Sequence, residues 1–155
     1  MVKMFSYGSN MSLARLHVND RAPSATIVGI AHIKWFILKF NKIGKSFSKG
    51  NSGKANIEET GNENDIVWGV IYEITGDEKD QLDIVEKGYH ISNLVFTSAT
   101  GVVSAYTYIA NVDAIDNNLA PFDWYKKYVV DGAEENGLPE DYVDKIRAIE
   151  VKNNL

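Results

Sequence analysis

Strand-forming segments occupy the first two-thirds of the chain, and helix-forming segments fall mainly at its end. The two kinds do not alternate as they would in a doubly wound sheet. This order points to an α+β fold with a mostly antiparallel sheet or small barrel. Ile66 to Ile74 (IVWGVIYEI) carries the strongest strand signal, a run of β-branched and aromatic residues. Val2 to Ser6, Ala25 to Phe40 (bent or broken) and Ala55 to Ile57 also read as strands. Ile91 to Ser98 and Val102 to Ala110 form a strand pair around Ala99-Thr100-Gly101. Asn41 to Lys54, rich in Gly, Ser and Lys, reads as a surface loop, and Gly61 to Asp65 as a turn. Thr75-Gly76-Asp77-Glu78 has the spacing of a capping box. It opens a helix expected from Gly76 to about Lys87, where Gly88 ends it. Other helices are expected over Met11 to Val18, Phe122 to about Glu134, and Pro139 to Glu150, with Pro139 in a first turn.

Composition narrows the function. The 155 residues suit one domain, 1–155, with a core of its own. Hydrophobic residues make up 45% and charged residues 24%, the balance of a globular chain. Lys and Arg number 16 against 21 Asp and Glu, a net charge of −5, so no nucleic-acid partner is expected. The absence of cysteine excludes disulfides, thiolate metal sites and a cysteine nucleophile. His17, His32 and His90 are scattered without metal-ligand spacing, so neither metal nor cofactor is expected. Gly44-Lys45-Ser46 fails as a phosphate loop, because Lys39 stands where the pattern needs Gly. No apolar run approaches the ~20 residues of a membrane span, so no membrane partner is expected. Met1 to Tyr7 lacks the apolar core of a signal peptide, and a cytoplasmic setting is expected.

Two segments break the pattern of an ordinary scaffold. Tyr7-Gly8-Ser9-Asn10 joins a strand to a helix, where free backbone N–H groups make a natural anion site. From these four residues alone, a plain capped turn explains as much. Glu86 shares a helix face with Leu82 and Val85, the face expected to point inward, while Asp83 is expected to pair with Lys87. It also falls in the expected last turn, where the helix dipole disfavours an anion. Burial and dipole both act against its charged form, as suits a group that exchanges protons. A Glu that snorkels out at a frayed helix end fits the pattern equally. Tyr125, on one stripe with Phe122 and Val129, could turn a hydroxyl toward a pocket, although most such aromatics are core.

Taken in order, several pieces resemble the γ-glutamylcyclotransferases of the AIG2-like superfamily. Met4-Phe5-Ser6-Tyr7-Gly8-Ser9-Asn10-Met11 resembles the hallmark loop after an aromatic strand. Gly53-Lys54-Ala55-Asn56-Ile57 and Val67-Trp68-Gly69-Val70-Ile71-Tyr72 resemble the central strands. Leu82-Asp83-Ile84-Val85-Glu86 resembles the helix with the catalytic Glu. Trp124-Tyr125-Lys126-Lys127, Gly132 to Pro139, Tyr142 and Ile146 to Glu150 resemble the C-terminal helices. The resemblance spans residues 3 to 150. It implies a small β-barrel with flanking helices, a homodimer in many members, and cofactor-free release of 5-oxoproline from γ-glutamyl amino acids. It places the catalytic carboxylate at Glu86 and substrate binding at Phe5, Ser6, Tyr7, Gly8, Ser9, Asn10 and Tyr125. Lys87 replaces the usual Gly after the Glu, and Tyr89 fills the place of the following aromatic. That segment borders the leaving group. Two alternatives therefore stand: the same cyclisation on γ-glutamyl amines or a γ-glutamyl-protected metabolite, or a non-catalytic small-ligand binding module.

Overall fold

The computed structural model describes residues 1–152; the last three residues of the expected 1–155 unit lie outside the described residues. The strands are β1 (Val2–Ser6), β2 (Thr26–Lys34), β3 (Phe36–Gly44), β4 (Ser52–Glu59), β5 (Ile66–Ile74), β6 (Tyr89–Ser98) and β7 (Gly101–Ala110). The helices are α1 (Leu13–Leu16), α2 (Gly76–Val85), α3 (Asp123–Glu135) and α4 (Glu140–Arg147), with 3-10 turns at Ser9–Met11 and Val112–Ala114. β1, β5, β2, β6 and β7 close into a barrel in that order. Neighbours run antiparallel except at the closure, where Met4 of β1 meets Tyr106 of β7 in parallel. The expected α+β class and small mixed barrel with flanking helices are what the chain forms.

β5 owes its unbroken apolar run to its position. It pairs with β1 on one side and β2 on the other. Val67, Val70, Ile71, Tyr72 and Ile74 are all fully buried, so both faces of the strand are packed and its one charged residue, Glu73, stands next to its end. Inside the barrel, Phe5 stacks on Phe96 with ring centroids 4.0 Å apart. The expected break in the second strand falls at Trp35, which sits in the left-handed region at φ 77°. Its N–H donates to Asp65 O and its carbonyl accepts from Thr60. The chain then leaves the barrel as the β3–β4 hairpin.

That hairpin corrects the surface-loop expectation for 41–54. β3 runs on to Gly44 and β4 starts at Ser52, leaving only 45–51 as a turn. The composition misleads because the polar residues satisfy one another in the interior. Buried Asn41 accepts from Asn56 Nδ2 at 3.1 Å and donates to Glu58 and Asn117 at 2.9 and 2.8 Å. Gly53 answers a close approach and not a turn: a Cβ there would lie 1.9 Å from Phe40 O.

The helices keep their places with shifted ends. The Met11 to Val18 helix is only the 3-10 turn plus α1, capped by Ser12. The Thr75 capping box forms in full, but α2 stops at Val85 and leaves Glu86 as its C-cap residue. Pro139 is the N-cap of α4 and not part of its first turn. Asp83 pairs with Lys79 at 2.9 Å instead of Lys87, and also accepts from Tyr108 at 2.6 Å.

Candidate active site

The Tyr7–Asn10 loop is anchored from three directions. Tyr7 is buried and its hydroxyl donates to the Tyr108 carbonyl of β7. Tyr72 of β5 and Asn136 after α3 both donate to Met11 O, at 3.0 and 2.9 Å. Gly132 lets α3 lie directly on the loop, since a Cβ there would sit 2.5 Å from Met11 C and Ser12 N. Within the loop, Met11 N–H donates to Gly8 O at 3.1 Å. The N–H groups of Gly8, Ser9 and Asn10 find no acceptor among the described residues, as expected where a helical turn begins.

Glu86 meets this loop from the far side of the chain. Its own N–H caps Leu82 O at 2.8 Å, which fixes the backbone. Its Oε1 accepts from Asn10 Nδ2 at 3.2 Å. Arg21 Nη1 stands 3.5 Å from the same oxygen and donates to Asn10 Oδ1 at 3.0 Å. The guanidinium therefore holds the Asn10 amide with its NH2 toward Glu86. Glu86 is not drawn into the core with Leu82. It is half-buried, 18% exposed at the side chain, with a cation beside it.

A cleft of about 50 Å³ opens where these groups meet. Its walls come from β1 and the loop, from Ala55 of β4, from Glu86, Tyr89, Thr107 and Tyr108, and from Tyr125 of α3. Tyr125 and Tyr89 grip Ala55 from both ends. The Ala55 N–H donates to Tyr125 Oη at 3.0 Å, and the Tyr89 hydroxyl donates to Ala55 O at 2.8 Å. Burial first, and then neighbouring groups including Glu86, push the Tyr7 and Tyr89 hydroxyls well above the ordinary tyrosine range. Burial also leads in raising Tyr125. All three therefore stay protonated at neutral pH and act as hydrogen-bonding groups.

The model of the AIG2-like family matches residues 66–146. Curated γ-glutamylcyclotransferases of Homo sapiens and Bos taurus are each 33% identical over 153 residues, covering 94% of this chain and 77% of the relative. The chain belongs to the γ-glutamylcyclotransferase family of enzymes. A solved γ-glutamyl cyclotransferase superposes with a TM-score of 0.84 at 31% identity, over 98% of this chain and 89% of that one. A Homo sapiens structure described as an uncharacterised protein matches with the same TM-score at 30% identity, over 99% and 90%.

The fold brings every site residue singled out from the sequence to one cleft: Phe5, Ser6, Tyr7, Gly8, Ser9, Asn10, Glu86, Tyr89 and Tyr125. The Tyr7 hydroxyl is turned to a backbone carbonyl, so this residue offers the cleft its ring. Arg21 was missed, because a lone Arg in the polar stretch Asn19-Asp20-Arg21 carries no spacing signal. Thr107 and Tyr108 were missed as ordinary members of a hairpin. Among the described residues, no group of three His, Cys, Asp or Glu is placed to hold a metal ion, and no helix is long and apolar enough to cross a membrane.

Proposed function

We propose that the protein releases 5-oxoproline from γ-glutamyl amino acids by attack of the substrate's α-amine on its own γ-carbonyl. The observation that carries this reading is the meeting of Glu86 with Asn10, one carboxylate set against a loop of free N–H groups. The nucleophile is tethered to its electrophile, so holding it in reach supplies on the order of 7–11 kcal/mol of effective molarity. The chain must then fold the glutamyl arm, take a proton from the α-ammonium, and return one to the leaving amine. Glu86 performs both transfers, worth roughly 10²–10⁴-fold. The N–H groups of Gly8, Ser9 and Asn10 hold the glutamyl α-carboxylate or the developing oxyanion, where one lost donor costs about 10²–10³-fold. The rings of Tyr7 and Phe5 and the hydroxyls of Ser6, Ser9 and Tyr125 confine the arm. No step asks for a cofactor.

The test is mass-spectrometric detection of 5-oxoproline from γ-glutamyl-alanine, with Glu86→Gln beside the wild type. The variant is expected to fold and to lose at least 100-fold in rate. A variant that keeps more than a tenth of the wild-type rate refutes the role of Glu86. The proposal also takes residues 1–155 as one functional unit in the cytoplasm, as length and composition suggest, and as a homodimer, as the family resemblance implies. Light scattering on the purified chain tests the dimer.

A further inference from the structure

The β3–β4 hairpin carries an unusual pair of cations behind two of the tyrosines that line the cleft. Lys42 of β3 and Lys54 of β4 stand directly opposite each other across the hairpin. Like charges in that position destabilise a strand pair. Both residues are half-buried. Among the described residues, neither ammonium has a carboxylate within salt-bridge distance. Lys39 on the same strand shows the ordinary arrangement, pairing with Glu58 at 2.9 Å. The unpaired lysines face the tyrosines that line the cleft instead. Lys42 Nζ lies 5.0 Å from the ring centroid of Tyr89, and Lys54 Nζ 6.0 Å from that of Tyr125. In a chain of net charge −5, two cations held together without a carboxylate partner break a local rule, which marks a functional position.

Burial leads in lowering both ammonium groups below the ordinary lysine range, and for Lys42 the charge of Lys54 adds to it. Glu86 opposes the shift at both, so its field reaches the pair. A further anion arriving beside them relieves their repulsion.

We propose that Lys42 and Lys54 bind carboxylates of the leaving group, and that the preferred substrate is a γ-glutamyl conjugate of a dicarboxylic amino acid. This rests on the cyclisation reading above. The glutamyl α-carboxylate is already assigned to the loop amides. The leaving amino acid's own α-carboxylate satisfies one lysine, and an acidic side chain satisfies the other. A γ-glutamyl amine leaves both cations without a partner.

The experiment compares kcat/KM for γ-glutamyl-glutamate, γ-glutamyl-alanine and γ-glutamyl-ethylamide. Each carboxylate removed is expected to cost about tenfold or more, the range of a hydrogen bond to a charged group. Lys54→Met and Lys42→Met should compress the ranking, and Lys54→Arg should restore most of it. Ethylamide turnover within threefold of γ-glutamyl-glutamate in the wild type overturns the proposal, without any variant having to fold. Methionine variants that slow all three substrates equally overturn it too. Calorimetric titration of Glu86→Gln with the same compounds reads the ranking without chemistry. Ranked binding with no 5-oxoproline from the wild type sinks the cyclisation and keeps the lysine assignment. Product with a flat ranking does the reverse, and neither product nor ranked binding sinks both.

Discussion

Arg21 is the residue whose removal best separates a built site from a mere constellation. Its Nη1 donates to Asn10 Oδ1 at 3.0 Å and stands 3.5 Å from Glu86 Oε1, with the two charged side chains 15% and 18% exposed. Arg21→Met removes the counter-charge of Glu86 and also the group that fixes which way the Asn10 amide points. A flipped amide would present an oxygen to the Glu86 carboxylate. An exposed ion pair is worth only about 0–1 kcal/mol, but a hydrogen bond to a charged group is worth about 1.5–3 kcal/mol. With both partners largely out of water, a loss of about 2–3 kcal/mol in transition-state stabilisation is expected. That corresponds to roughly a 30- to 150-fold fall in kcat/KM at 25 °C. Arg21→Lys keeps the charge and loses the planar donor, so it should fall between. The assay is continuous measurement of 5-oxoproline release, with thermal unfolding run on the same samples. A cycle with Asn10→Ala should be non-additive, because both substitutions remove the same hydrogen bond. Arg21→Met within threefold of wild type, or a cycle that adds, refutes the claim that Arg21 acts through Asn10 on Glu86.

Three further outcomes follow from the geometry. Gly132→Ala puts a Cβ 2.5 Å from the Met11–Ser12 backbone, so α3 must back away from the loop; a loss of about 1–3 kcal/mol is expected by denaturant unfolding, together with lower activity. Tyr125→Phe leaves the Ala55 N–H without its partner, costing about 1–3 kcal/mol, and the fall in Tm should be matched by Ala55 amide exchange that speeds up locally. Burial acts against the charge of Glu78, but hydrogen bonds from Thr75 and Ser24 outweigh it and hold the carboxyl below the ordinary range. Its stabilising contribution is therefore complete above the unfolded value of about 4.3 and is lost as pH falls through the lower folded value; Glu78→Gln should flatten the acid limb of a stability–pH curve measured by urea unfolding.

Legibility in the sequence followed how local each cause was. The Thr75–Glu78 capping box is settled within four residues and formed as read. β5 was readable because both its faces are buried and its composition says so. The 41–54 hairpin was not, because a polar residue at its start, Asn41, is buried and satisfied by partners outside the segment. Asn41 reaches Asn56 and Asn117, contacts that no window of sequence displays. Glu86 was found for a reason only partly right. The helix periodicity put it on the side of Leu82, but α2 ends one residue earlier. As a C-cap residue, Glu86 turns to Asn10 and Arg21 and not into the core.

The tyrosines of the cleft carry this point into function. From the sequence and its resemblance, Tyr7 and Tyr125 are substrate-binding residues and Tyr89 fills the place of an aromatic. In the fold each is first a strut. Tyr7 ties the loop to β7, while Tyr89 and Tyr125 hold the two polar ends of Ala55 and so fasten the β3–β4 hairpin to the barrel and to α3. The same hairpin carries Lys42 and Lys54. Loosening either Ala55 contact therefore moves the lysine pair relative to Glu86, although neither lysine is touched. On the lysine assignment proposed above, substrate preference is coupled to hairpin anchoring, and a tyrosine variant should change the ranking of leaving groups as well as the rate.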